Sequence, residues 1–104
     1  MTVITQTAIH PKPGASWEEL QKLLKKANDL VRKHGGENVT AMATMAGGPT
    51  TGTVSVVATA ADWASYGKLQ DAIMADPEMQ AIMADSNSPV ASWDTYVSQT
   101  IPDL

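Results

Sequence analysis

The chain contains no cysteine. That absence removes disulfides, thiolate zinc sites, iron–sulfur clusters and cysteine nucleophiles. Phenylalanine is missing too, so three Trp, two Tyr and six Met must carry the bulky packing. Methionine suits that task because its unbranched thioether fills irregular spaces. Positive charge is scarce: seven Lys and Arg face eleven Asp and Glu, for a net charge of −4. Phosphate backbones need clustered cations, so no nucleic acid partner is expected. No apolar run approaches a membrane span, and the first residues lack the basic and apolar regions of a secretory signal. A cytoplasmic location and no membrane partner are therefore expected. There is no His-x-x-x-His spacing and no Gly-x-Gly-x-x-Gly ahead of a helix. No metal and no cofactor are expected.

What is present fits one domain, 1–104, with a single core, at 43% hydrophobic residues. The turn Gly47-Gly48-Pro49-Thr50-Thr51-Gly52 divides it into halves that read alike, each strand-helix-strand. Residues 2–10 (TVITQTAIH) are β-branched and alternating, which predicts a first strand ended by Pro11-Lys12-Pro13-Gly14. Ser16-Trp17-Glu18-Glu19 is a capping box, with Glu19 reciprocating the Ser16 cap. The helix it starts runs to about His34 and stops at Gly35-Gly36. At 100° per residue, Trp17, Leu20, Leu23, Leu24, Ala27, Leu30 and Val31 share one face. Lys22, Lys25, Lys26, Arg32 and Lys33 fall mostly opposite, as a solvated helix face.

Residues 39–46 (VTAMATMA) and 53–60 (TVSVVATA) read as the second and third strands of a hairpin. Neither carries a charge on either face. A strand covered on one side only normally shows charge on the other, so the second face must also be covered. Asp62 caps a second helix, 63–75. Asp76-Pro77 restarts the chain as a short helix to about Ala84, with Pro at its first position. Residues 90–101 (VASWDTYVSQTI) make the fourth strand. The resulting expectation is an α+β, ferredoxin-like βαββαβ domain: a four-stranded antiparallel sheet, order 4-1-3-2, with the helices on one face.

Gly52-Thr53-Val54, Asp62-Trp63-Ala64-Ser65-Tyr66-Gly67 and the Asp-Pro restart in Ala75-Asp76-Pro77-Glu78-Met79-Gln80 resemble the dimeric α+β barrel superfamily. That group includes NIPSNAP-like proteins, antibiotic-biosynthesis-type monooxygenases and small polyketide cyclases. The resemblance implies a homodimer joined through its sheets, which would cover the uncharged second face. It also implies a small aromatic or polyketide-like ligand between sheet and helices, handled without a cofactor by a monooxygenase- or cyclase-type enzyme. A non-catalytic ligand-binding or structural dimer is the alternative.

The candidate site is a cleft lined by Trp17, Trp63, Tyr66, Gln70 and Trp93, with His10 near its mouth. His10, Tyr66 and Asp94 are the candidate catalytic groups. His10 shares a strand face with Ile4, Gln6 and Ala8; it is either a general base or a strand-end His bonded to a backbone carbonyl. Gln70 interrupts the apolar stripe of the second helix, so its amide meets either a ligand or a protein partner. Asp94 shares the Tyr96 face, opposite Trp93, as a base or as a charge that blocks unwanted pairing. His34, in the last turn of the first helix, reads as a capping residue.

Overall fold

The computed structural model describes residues 1–48 and 52–104. Its elements are β1 (Val3–Pro11), α1 (Trp17–Lys33), β2 (Glu37–Ala43), β3 (Val54–Ala60), α2 (Trp63–Ala75), α3 (Pro77–Ala84) and β4 (Val90–Gln99). The strands form one antiparallel sheet in the order β2-β3-β1-β4, the order expected from the sequence. This is a ferredoxin-like α+β fold. The Pro49–Thr51 part of the expected hairpin turn lies outside the described residues.

Capping sets the helix starts. Ser16 Oγ accepts the Glu19 N–H at 3.2 Å, and Asp62 Oδ1 accepts the Ser65 N–H at 2.7 Å. The Ser65 N–H and hydroxyl hold the Asp62 carboxyl below its ordinary range. Asp76 ends α2 and begins α3: its N–H donates to the Ile73 carbonyl, and its Oδ1 accepts the Glu78 N–H at 2.8 Å. After α1, Gly35 takes φ 101°, a left-handed exit that a side chain would strain.

Three strand ends depart from the sequence reading by two residues or more. β2 begins two residues early, at Glu37, because Asn38 adopts φ 50° and the register slips between Glu37 and Thr40. Regular β2 stops at Ala43, yet the ladder continues in backbone bonds from Thr44 N to Thr53 O and from Gly52 N to Thr44 O. β4 ends at Gln99 and leaves Ile101 exposed.

Paired residues across an antiparallel ladder share a face. Val3, Thr5, Thr7 and Ile9 of β1 therefore face the same way as Ala60, Ala58, Val56 and Val54 of β3. That face receives the helices: Ile9 and Val54 pack with Leu20 and Leu24 of α1 and with Val90. A second cluster joins α1 to α3 through Ala27, Leu30, Met79 and Ile82. One buried position interrupts the apolar face of α1. Asn28 is buried, and its Oδ1 meets no donor among the described residues. Trp17, placed on the apolar face by periodicity, is 54% exposed at the first turn of α1.

The opposite face of the sheet carries no helix. It presents Ile4, Gln6, Ala8 and His10 beside Ser55, Val57 and Thr59 of β3, and beside Asp94 and Tyr96 of β4. Thr40 and Met42 of β2 extend it. Met42 and Tyr96 are both exposed there.

Candidate functional site

Strand parity decides what the cleft contains. Thr5 and Thr7 of β1, Val56 and Ala58 of β3, and Trp93 and Thr95 of β4 all point at the helices and form a floor. Tyr66, Leu69, Gln70, Ile73 and Met74 of α2 make one wall; Met79, Ile82 and Met83 of α3 make another, closed off by Ala27 and Val31 of α1. The space enclosed is about 190 Å³. None of these lining residues carries a formal charge. An apolar cavity of about 150 Å³ is large enough to take up benzene, so this one fits a single substituted ring.

The polar groups of the cleft lie mainly on its floor. Thr5 Oγ1 donates to the Ala58 carbonyl at 3.3 Å, and the Thr7 and Thr95 hydroxyls are paired at 3.0 Å. Tyr66 adds its phenol from α2, with its ring held edge-on to Trp63 at 5.7 Å between centroids and 87° between planes. Gln70 is exposed and lines the cleft from the α2 side.

Of the sequence candidates, Tyr66, Gln70 and Trp93 come together here. Trp63 does not reach the lining; it is 47% exposed, and its Nε1 donates to Gln99 Oε1 at 2.8 Å. Its contribution is to brace Tyr66. Trp17 borders a separate groove between α1 and β2, with Asn28, Ala41 and Ala43. His10 and Asp94 stand together, His10 Nε2 to Asp94 Oδ2 at 2.7 Å, on the helix-free face. They lie across the sheet from the cleft because His10 and Asp94 have the opposite parity to Thr7 and Trp93. His10 thus has a carboxylate partner, not the backbone carbonyl considered from sequence. The residues that sequence reasoning missed are Thr5, Thr7 and Thr95, legible only as the odd-numbered face of β1 and its partner on β4.

The elbow between α2 and α3 shapes the cleft wall, since Ile73, Met74, Met79 and Ile82 flank it. Asp76 at that elbow is buried, its side chain 4% exposed. His34, beyond the end of α1, brings Nε2 to Asp76 Oδ2 at 2.6 Å, and Lys33 Nζ lies 3.5 Å from the same oxygen. The His34 bond, then the Glu78 N–H and the Lys33 charge, lower the Asp76 carboxyl from 3.8 to about 2. An ionised carboxylate only accepts, so the imidazole Nε2 donates. Stability from this group is fully present above pH 3.8 and is lost as pH falls through about 2. Thermal melts of Asp76→Asn should therefore show a lower melting temperature than the parent at pH 5, with the gap closing by pH 2. A gap of constant size down to pH 2 would contradict the ionised capping role.

The sequence matches no family model and no curated protein sequence. Solved structures are similar in fold across nearly the whole chain. A NIPSNAP family protein from Agrobacterium tumefaciens superposes with a TM-score of 0.74 at 13% identity, covering 99% of this chain and 89% of that one. An uncharacterized NIPSNAP domain protein from Burkholderia xenovorans gives 0.72 at 15% identity, covering 100% and 98%. A dabb family protein with a ferredoxin-like fold from Mesorhizobium loti gives 0.71 at 16% identity, covering 96% and 97%. Among the described residues no helix is long and apolar enough to cross a membrane. The chain has the NIPSNAP-like, ferredoxin-like α+β fold.

Proposed function

We propose that this protein is a small-molecule-binding dimer that takes up a neutral, single-ring compound in the cleft between the sheet and the three helices. The observation that carries this reading is a cavity of about 190 Å³ with no charged lining residue. A charged ligand would lose its hydration there without gaining a counter-ion. Apolar walls supply the affinity, and a few hydroxyls fix orientation, the usual division of labour in a binding site.

The dimer belongs to the same proposal. Met42, Tyr96, Ile4 and Val57 share the helix-free face, and a two-fold partner would cover them through identical patches. Light scattering at micromolar concentration checks this, and a monomer would remove the dimer from the proposal while leaving the cleft.

A second reading is a cofactor-independent enzyme of the monooxygenase or cyclase type, acting on an aromatic or polyketide-like substrate. It is favoured by Tyr66, the one titratable side chain in the cleft lining, whose phenol is available to hydrogen-bond a substrate. Proton transfer by His10 and Asp94 would need a substrate on the other face of the sheet. Binding in the cleft is therefore the function that the geometry supports best.

Calorimetric titration with acetophenone and benzoate separates charge from shape, because the two share ring and size. Acetophenone is expected to bind and benzoate not. Equal binding of both, or binding of neither, would overturn the proposal.

A further inference from the structure

We infer that the cleft selects an aryl carbonyl compound with a hydroxyl para to the carbonyl: the ligand hydroxyl donates to Thr5, and its carbonyl accepts from the Thr7–Thr95 pair. This narrows the ligand-binding reading above and rests on it.

A threonine hydroxyl has one proton and two lone-pair acceptors. The Thr5 proton is committed to the Ala58 carbonyl. Toward the cleft Thr5 is therefore an acceptor only, and its natural partner is a donor on the ligand. Thr7 and Thr95 behave differently. Their oxygens lie 3.0 Å apart, so one hydroxyl donates to the other and one proton of the two is consumed. The remaining proton is the floor's spare donor, and it calls for an acceptor on the ligand. The pair lies on the exposed part of the floor, open to the cleft rather than sealed beneath a helix.

The spacing fixes the geometry of the ligand. Thr5 and Thr7 are two residues apart on one face of β1, which separates them by about 7 Å along the strand. The oxygens of a para-hydroxyaryl ketone are comparably spaced, whereas ortho substituents are too close to reach both. The ring between them would lie beneath Met74, Met79 and Ile82, whose apolar surfaces match its face. A carboxylate in place of the carbonyl would find no cation among the lining residues. Tyr66 and Gln70 both donate and accept, so they strengthen binding without choosing between polar patterns.

The test uses the unaltered protein and three probes of similar size: acetophenone, 4-hydroxyacetophenone and 4-fluoroacetophenone, titrated calorimetrically at a pH where the phenol is neutral. The hydroxyl should tighten binding about 3- to 10-fold over acetophenone, and fluorine, which has no proton to donate, should not. In Thr5→Val the ratio between hydroxyl and fluoro probes should fall to near one. Equal affinity of those two probes in the unaltered protein would overturn the inference, as would a ratio that survives Thr5→Val. Acetophenone binding without any hydroxyl preference would sink this inference and leave the cleft reading standing. Failure of all three probes to bind would remove both.

Discussion

Replacing Ile9 by alanine is expected to cost about 2–5 kcal/mol of folding stability, whereas Ile9→Val should cost about 0.5–1.5 kcal/mol. Ile9 is fully buried on β1, an interior strand of the sheet, and packs with Leu20, Leu24, Val54 and Val90. The side chain joins three elements at once: α1 above, β3 beside it, and the start of β4. Truncation to alanine leaves a void that the sheet backbone cannot collapse to fill, which is why the larger deletion costs more than its lost methylenes. Against a typical total of about 5–15 kcal/mol, that is a substantial part of the folded state's margin. Urea denaturation of the three proteins measures it. A cost below about 1 kcal/mol for Ile9→Ala, well short of the usual range, would mean that the helix layer does not sit on this face of the sheet.

The second large effect is on binding. Ala58→Leu should abolish uptake of acetophenone while leaving the melting temperature close to that of the parent. Ala58 is a buried floor residue of the cleft, paired with Thr5 across the ladder. A leucine there projects into the space a ligand would use. Burying its added carbons contributes about 0.8 kcal/mol each, up to roughly 2 kcal/mol. Overpacking in a tight core costs about 1–3 kcal/mol, so the two terms nearly cancel. Calorimetry and a thermal melt on the same sample check both halves. Retained binding would show that the ligand lies elsewhere. Lost binding with a collapsed melting temperature would show that this space is tightly packed core rather than a cavity.

Much of the fold was legible because local signals agreed with one another. Ser16, Asp62 and Asp76 each sit ahead of a helix with the side-chain oxygen that its first N–H groups need, and each makes that bond. The Asp76-Pro77 break falls where α2 ends and α3 begins. The apolar stripe of α1 named most of its buried face, but periodicity alone could not show that Trp17, at the first turn, stays half exposed on a groove beside β2. Asn28 escaped for the converse reason: a polar residue gives no apolar signal, yet helix geometry buries it.

The site was harder to read because it depends on register. His10 and Asp94 lie 84 positions apart, and nothing local to either predicts that β1 and β4 align them within 2.7 Å. Alternation did carry the signal that separates them from the cleft. Asp94 has the opposite parity to Trp93, and His10 shares parity with Ile4, not with Thr5. The partner of His34 was equally hidden, since its bond to Asp76 spans 42 positions. Capping read from the sequence located His34 at the helix end but could not supply the carboxylate from the α2–α3 elbow.

The methionines provide the most direct view of the cleft. Met74, Met79 and Met83 line it, whereas Met1, Met42 and Met45 lie outside its lining. Methyl NMR of protein labelled at the methionine methyl groups, titrated with acetophenone, reports on all six at once. A bound aromatic ring shifts the methyls it lies against. Shifts confined to Met74, Met79 and Met83 are the predicted result; shifts at Met1, Met42 or Met45 instead, or none at saturating ligand, would contradict a binding site between the sheet and the helices.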